Sequence, residues 1–473
     1  MFGNKKIILL ILGLSALTHF AFFGHPNQTV FDEVHFGKFI SGYFTGEYFF
    51  DIHPPLGKLL ISGMGYLTGF EPGFSFANIG ETFPDRHYLW LRFLPALAGT
   101  LLPLIIFLLA KELNFSSRSS LLAALLVIFE NTLTVQSRFI LLDSFLLLFG
   151  FSSLLFYFKY RSRSPQGPTL RVDKWLILTG ISAGLAASVK WTGLAFLGII
   201  LVLELINQVK LWSNKNRPEI EWTNQALFAK SAWFVHRGLS RLLPSFSCLI
   251  LIPLAIYASI FSIHLSLLSK SGQGNAFMSP GFQKTLAGNS FQNNPEVKEI
   301  GFVQKFKELN KEMYRANQRL TATHPYSSQW YSWPLMSRPI FYWVKGQEKI
   351  YLLGNPFIWW AGSVAMVLLL IYSIKNLAQK PRTFGFVENF ILLGFFINLL
   401  PFIGIGRVMF LYHYFSSLIF SILALAYFGN KKSVFAFLTI VSTVGFLYFT
   451  PLTYGLPILP QHEANFFWLP SWR

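Results

Sequence analysis

Long apolar runs alternate with short basic loops along this chain, and that alternation predicts its architecture. Several runs reach the roughly 20 residues that carry a helix across a bilayer core. They are continuous, unlike the ten-residue alternations of a membrane barrel. Eleven transmembrane helices are expected, at about Lys6–Gly24, Tyr88–Ala110, Arg118–Gln136, Arg138–Tyr157, Trp175–Ser188 and Trp191–Leu205, then Leu243–Leu267, Tyr351–Ile374, Phe386–Phe402, Val408–Phe428 and Ser433–Phe449. The fold class expected is an all-α polytopic membrane protein. Apolarity is weakest in the third, fifth and sixth of these runs, and the fifth and sixth read as a tight pair hinged near Lys190-Trp191.

Loop charge orients the spans. Lys5-Lys6, the cluster Lys159, Arg161, Arg163, Arg171 and Lys174, the basic stretch 207–242, the group Lys375, Lys380 and Arg382, and Lys431-Lys432 all fall on one side. The excess of Lys and Arg marks that side as cytoplasmic, which places the N-terminus inside and the C-terminus outside. The division is then 1–24 as the first span, 25–87 as an outer-face catalytic loop, and 88–268 as spans two to seven. Residues 269–350 form a large outer loop, 351–450 spans eight to eleven, and 451–473 an outer tail. The 25–87 loop is too amphipathic to cross and predicts interfacial helices around Val34–Phe44 and Leu56–Leu67. A soluble amphipathic helix is expected over Pro295–Leu320.

Composition agrees. Of the 473 residues, 53% are hydrophobic, and 52 are Phe, which argues against a string of soluble domains. The net charge of +18 follows from the loops, and no basic soluble module points to nucleic acid. Cys248, the single cysteine, lies in an apolar run, so neither an internal disulfide nor thiol chemistry is expected. No small-residue cleavage site follows Ile7–Phe23, which therefore reads as a retained span.

Only 13% of residues are charged, so the cluster Phe31-Asp32-Glu33-Val34-His35-Phe36-Gly37, followed by Asp51-Ile52-His53-Pro54-Pro55-Leu56-Gly57-Lys58, requires a reason. A carboxylate partly desolvated among aromatics gains proton affinity and can act as a general base. Asp32 is preferred as that base, with Glu33 orienting an acceptor or stabilising the fold. Arg92 and Arg138 offer guanidinium forks suited to a phosphate, or they snorkel to headgroups. Asp143 is expected to be the structural partner of Arg138. Lys190-Trp191 reads first as an interfacial anchor and His413 as a packing residue. The loop bearing His324-Pro325-Tyr326 and Trp330 to Trp333 offers an aromatic belt or a binding platform. No metal-ligand spacing or nucleotide loop is found.

Taken together these motifs resemble the protein O-mannosyltransferases, polytopic glycosyltransferases of the GT-C type. Further matches are Arg92-x-x-Pro95-Ala96, Gln136-Ser137-Arg138-x-Ile140-Leu141-Leu142-Asp143-Ser144 and Ser188-Val189-Lys190-Trp191-x-Gly193. Trp333-Pro334-Leu335, Gly354-Asn355-Pro356-x-x-Trp359-Trp360 and Leu411-Tyr412-His413-Tyr414 complete the set. The resemblance implies an inverting transfer of mannose from a polyprenyl-phosphate donor to Ser or Thr of a protein. Because the phosphate leaves as a stabilised anion, neither a metal nor another cofactor is expected. By that analogy Asp32 is the base and Arg92 and Arg138 face the lipid phosphate. His53, Lys58, Lys190 and His413 are expected to join the donor site. His35, Trp330 and Trp333 are expected to contact the acceptor.

Partners implied are the donor lipid, secreted or membrane proteins, the bilayer and the translocation machinery. Eukaryotic relatives carry a β-trefoil domain in the long outer loop, which is too short for one here. That departure suggests a prokaryotic enzyme in the cytoplasmic membrane, its active site facing the periplasm or exterior. A second departure is His19, where those relatives have an Arg. Two other readings are a GT-C enzyme acting on a lipid headgroup or cell-wall glycan, and a non-enzymatic flippase or assembly subunit. The latter would need polar residues distributed through the midplane, whereas the charges here gather at one surface.

Overall fold

In a computed structural model of the chain, which describes residues 4–163, 173–213, 243–319, 323–379 and 385–473, the architecture is almost wholly helical. Helix α1 covers Asn4–Phe20, α2 Glu33–Thr45, α3 Leu56–Leu67, α4 Tyr88–Glu112, α5 Ser117–Ile128, α6 Asn131–Ser137, α7 Asp143–Arg163, α8 Lys174–Val189 and α9 Leu194–Ser213. After residues outside the described set come α10 (Ile252–Leu267, entered through a π-helical turn at Ser247–Leu251), α11 (Phe302–Arg319), α12 (Pro356–Gln379), α13 (Phe386–Leu399), α14 (Phe415–Phe428) and α15 (Lys432–Tyr454). One antiparallel hairpin, β1 (Ile340–Lys345) and β2 (Glu348–Leu352), lies between α11 and α12. The all-α expectation missed it. Its residues are aromatic and β-branched, a composition that suits a pleated surface.

Among the described residues, seven helices are long and apolar enough to cross a membrane, or eight if the bent pair α5–α6 is one span. Several of the eleven expected spans do not pass that test. The expected span Arg118–Gln136 bends by 57°, because Glu130 interrupts it and caps its second half. The Glu130 Oε2 accepts the Leu133 N–H at 2.9 Å, while Oε1 accepts the N–H of Asn355 at 2.9 Å. Helix α8 is shorter than a bilayer-crossing helix. Helix α7 begins at Asp143, ends at Arg161 and Arg163, and buries most of its length against α4 and α8. The basic residues Arg171, Lys380 and Arg382 and most of the 207–242 stretch lie outside the described residues.

The expected hinge is present. Helix α8 ends at Val189, Lys190 is extended (φ −147°, ψ 147°), and a 3-10 turn at Trp191–Gly193 leads into α9. A Cβ on Gly193 would lie 2.3 Å from the Ala186 backbone, so only glycine allows this close return. The helix expected over Pro295–Leu320 forms as α11, seven residues shorter at its start, with Leu309 and Met313 buried.

Helices α2 and α3 form where the pattern placed them. Helix α2 packs so tightly beneath the Phe76 ring that a Cβ on Gly37 would sit 2.1 Å from it. The start of α2 is anchored by an ion pair with no exposure to solvent at either partner. Glu33 receives Arg92 Nε at 2.7 Å on Oε1 and Nη2 at 2.7 Å on Oε2. The N–H groups of Ile140 and Val30 each add a bond at 2.9 Å. The other Arg92 donors reach the carbonyls of Pro26 (2.7 Å) and Gln28 (2.8 Å). One pair thus ties the 25–32 segment, α2, α4 and the turn before α7 together.

Removing one partner of such a pair strands a buried charge, at a cost of about 3–5 kcal/mol. Arg92→Met is therefore expected to lower the thermal unfolding midpoint in detergent sharply, with or without a phosphate-bearing lipid present. A midpoint close to wild type would show that the pair does not anchor the fold.

Candidate active site

The two neighbouring acids of the motif have opposite environments. Successive residues at a helix start point about 100° apart, so Glu33 turns into the protein while Asp32, at the N-cap of α2, does not. Asp32 is only partly buried, and no donor among the described residues hydrogen-bonds its side chain. Burial, set against the nearby Lys190 and reinforced by Asp143 and Asp51, raises its carboxyl to about 7. That is the proton affinity of a base poised for neutral pH. Glu33 has no such freedom, because its two oxygens accept four bonds.

Beside Asp32 lies a cleft of about 930 Å³, mouth included. Its walls come from Ile52-His53, the start of α7 (Asp143, Leu146, Leu147), the α8–α9 break (Lys190, Trp191, Thr192) and α11 (Tyr314, Asn317, Gln318). The remaining wall runs from Asn398 through Phe402, Ile405, Arg407, Tyr412 and His413 to Phe415 and Ser416. Lys190 donates to Asp143 Oδ1 at 2.7 Å and lies 5.1 Å from the Tyr412 ring centroid. Arg407, half-buried, lies 3.2 Å from His413 Nε2 and, among the described residues, makes no ion pair with an acid. His413 Nδ1–H in turn reaches the Phe410 carbonyl at 2.9 Å. His53 also lines the cleft. Burial, together with Lys190 and Arg407, holds its imidazole well below the usual range, so it is neutral there.

Three residues expected at a lipid phosphate are engaged elsewhere. Arg92 gives its donors to Glu33 and two carbonyls and is wholly buried. Arg138 is 1% exposed and covers the open end of α1, donating to the carbonyls of His19, Ala21 and Phe22. His19 lies in the last turn of α1, whose carbonyls the helix itself leaves without partners. Its guanidinium lies over the Tyr454 ring at 4.5 Å, and its remaining nitrogen, Nε, is buried. Lys58 is sealed in the loop, bonded to Asp51, to the His53 carbonyl at 2.9 Å and to the Pro54 carbonyl at 3.2 Å. Asp143 pairs with Lys190, not with Arg138, because Arg138 turns toward the end of α1.

The acceptor residues also separate. Trp333 is fully buried, stacked 5.8 Å from His413, with Nε1 on Ser328 Oγ at 3.0 Å, so it belongs to the core. Trp330 is half-buried against the same core, and His35 is exposed; neither lines the cleft. Sequence reasoning missed Arg407. The available signal was its place in the glycine-flanked turn Gly404-Ile405-Gly406-Arg407, where no acid within ten residues could neutralise it.

Comparison with known proteins agrees with this arrangement of helices and loops. The family model for dolichyl-phosphate-mannose-protein mannosyltransferase matches residues 9–269, and that for the C-terminal four TMM region of protein-O-mannosyltransferase matches residues 302–472. Protein O-mannosyl-transferase 2 of Danio rerio is 35% identical over 305 residues, which cover 64% of this chain and 38% of that protein. Dolichyl-phosphate-mannose–protein mannosyltransferase 3 of Saccharomyces cerevisiae is 35% identical over 296 residues, 62% of this chain and 37% of its own. The chain thus spans little more than a third of the length of these curated relatives. The S. cerevisiae protein O-mannosyltransferase Pmt1-Pmt2 complex bound to the sugar donor shares the fold. Its TM-score is 0.87 at 22% identity, covering 100% of this chain and 93% of that one.

A carboxyl at about 7 in the folded state, against an ordinary value near 3.8, makes folding less favourable as pH rises between those values. Asp32→Asn removes that charge. At pH 8 the variant is expected to be more stable than wild type, by roughly 0.5–2 kcal/mol as at other strained sites. The difference should narrow toward pH 5, where the native carboxyl is protonated. Paired melting curves at the two pH values check this; a destabilised variant at pH 8 would contradict it.

Proposed function

This chain belongs to the dolichyl-phosphate-mannose-protein mannosyltransferase family, and from that premise we propose that it transfers mannose from a polyprenyl-phosphate donor to Ser or Thr hydroxyls of proteins. The observation that carries this reading is the unpaired Asp32 carboxylate beside a cleft that holds Lys190 and Arg407. In the proposed reaction Asp32 takes the proton of the acceptor hydroxyl as its oxygen attacks the anomeric carbon. The bond from that carbon to the phosphate oxygen breaks, and the polyprenyl phosphate leaves as an anion. One displacement inverts the anomeric centre.

The chain's own groups supply what the step needs. Asp32 is positioned to act as base near neutral pH. Lys190 and Arg407 stabilise the phosphate as charge builds on it, in surroundings where low dielectric strengthens the attraction. His53 and His413 offer neutral hydrogen-bonding groups at the same wall. Leu146, Leu147, Phe402, Ile405 and Phe415 give the cleft an apolar side suited to an isoprenoid. Arg407 thereby takes the phosphate role first given to Arg92 and Arg138.

The chain is a multi-pass membrane protein. We place it in the cytoplasmic membrane of a prokaryote, a reading supported by the short outer loop, with the cleft facing outward, a reading supported by the loop charges. A helix and a short hairpin occupy the long loop, where eukaryotic relatives would carry a trefoil.

The direct test is transfer of radiolabelled mannose from polyprenyl-phosphate-mannose to a Ser/Thr-rich peptide in liposomes. Asp32→Asn is expected to lower the rate by at least the roughly 10²–10⁴-fold that a general base contributes. The wild-type rate should fall as pH drops below about 7, where Asp32 protonates. Label appearing in lipid or glycan but not in peptide would overturn the protein acceptor. Arg407→Ala is expected to weaken donor binding about tenfold or more, the scale of a charge-assisted bond of roughly 1.5–3 kcal/mol. An unchanged donor KM in that variant would remove Arg407 from the phosphate site.

A further inference from the structure

Among the described residues the Asp32 side chain has no hydrogen-bond partner to aim it, so its direction comes from the backbone. The preceding residue, Phe31, has φ 45°, in the left-handed region that a residue with a Cβ keeps only where its surroundings hold it. Two contacts with Tyr342 on β1 hold it. The Phe31 N–H donates to the Tyr342 carbonyl at 3.2 Å. The two rings stack face to face, 4.2 Å between centroids and 7° from parallel.

Tyr342 is also the end of a buried polar chain. Its hydroxyl donates to Gln136 Oε1 at 2.5 Å. Gln136 Nε2 donates to Asp143 Oδ2 at 2.7 Å, and the other Asp143 oxygen accepts Lys190 at 2.7 Å. Tyr342 therefore touches the backbone that aims the acid and, through two intermediaries, the cation on the cleft wall.

We propose that Tyr342 is a positioning residue for the transfer reaction. Its ring holds the left-handed turn at Phe31 and with it the aim of Asp32. Its hydroxyl, through Gln136 and Asp143, holds Lys190 toward the leaving phosphate. The inference rests on the function proposed above. It assigns a task to the β1–β2 hairpin, which lies outside the motif residues.

The two tasks separate by substitution. Tyr342→Phe keeps the ring and loses the hydroxyl; donor KM is expected to rise several-fold with kcat nearly unchanged. Tyr342→Leu loses the ring as well, and kcat is expected to fall by about 10–100-fold, the scale of a small misplacement of a reacting group. Adding Phe31→Gly to Tyr342→Leu should restore part of kcat, because glycine adopts φ 45° without a ring to hold it. Hydrogen exchange of the peptide spanning Val30 to Phe36 should increase in Tyr342→Leu and fall back in the double variant.

Wild-type kcat in Tyr342→Leu, or no recovery of kcat or protection on adding Phe31→Gly, overturns the proposal while leaving the transferase reading intact. If wild type moves no mannose, the transferase reading fails. The exchange data then decide alone whether Tyr342 holds this turn.

Discussion

A carboxylate without access to water must find its donors inside the protein, and at Glu33 that requirement organises a whole face of the molecule. Four donors converge on it, two from Arg92 and one each from the backbones of Val30 and Ile140. They come from separate parts of the chain, so satisfying one charge fixes the relative positions of the 25–32 segment, α4 and the turn that leads into α7. Because a buried charge that loses its partner is so costly, the arrangement tolerates little slack. Asp32, next in the chain and rotated out of that network, inherits a defined location without sharing the ion pair.

The cations divide in the same way. Arg92, Arg138 and Lys58 direct their donors to carbonyls and carboxylates of their own fold, holding α4, the end of α1 and the Asp51–Pro55 loop. Lys190 and Arg407 stand on the cleft wall. Lys190 shares Asp143 with Gln136, and Arg407, among the described residues, meets the His413 imidazole and no acid. The cleft therefore keeps positive charge beside an apolar wall, which suits the polyprenyl-phosphate donor proposed above. An arginine at a membrane edge is costly enough to suggest function, but cost alone does not tell a structural arginine from a ligand. The acceptors around it do.

Much of this was legible in the residue pattern. Continuous apolar runs, the extended break at Lys190 and helices α2, α3 and α11 all follow from local periodicity and turn chemistry. The motif segments identified the family. Among the described residues, α7 falls short of the apolarity, and α8 of the length, of a bilayer-crossing helix, and both bury much of their surface against protein. Such helices need neither bilayer-spanning length nor unbroken apolarity. The pattern missed the β1–β2 hairpin, whose few aromatic residues look like a membrane belt until they pair.

What the sequence determined by itself was which residue types lie near one another along the chain: two adjacent acids, a basic and imidazole cluster after them, and a lysine at a helix break. What only the tertiary structure decided was which of those groups satisfy each other. Glu33 meets Arg92 across 59 positions, Lys190 meets Asp143 across 47, and Tyr342 meets Gln136 across 206. Spacing cannot report such partnerships, because the energy of a buried polar group depends on every donor and acceptor that packing brings to it. The pairing of Glu33 with Arg92, and the turning of Arg138 toward the end of α1, are of that kind.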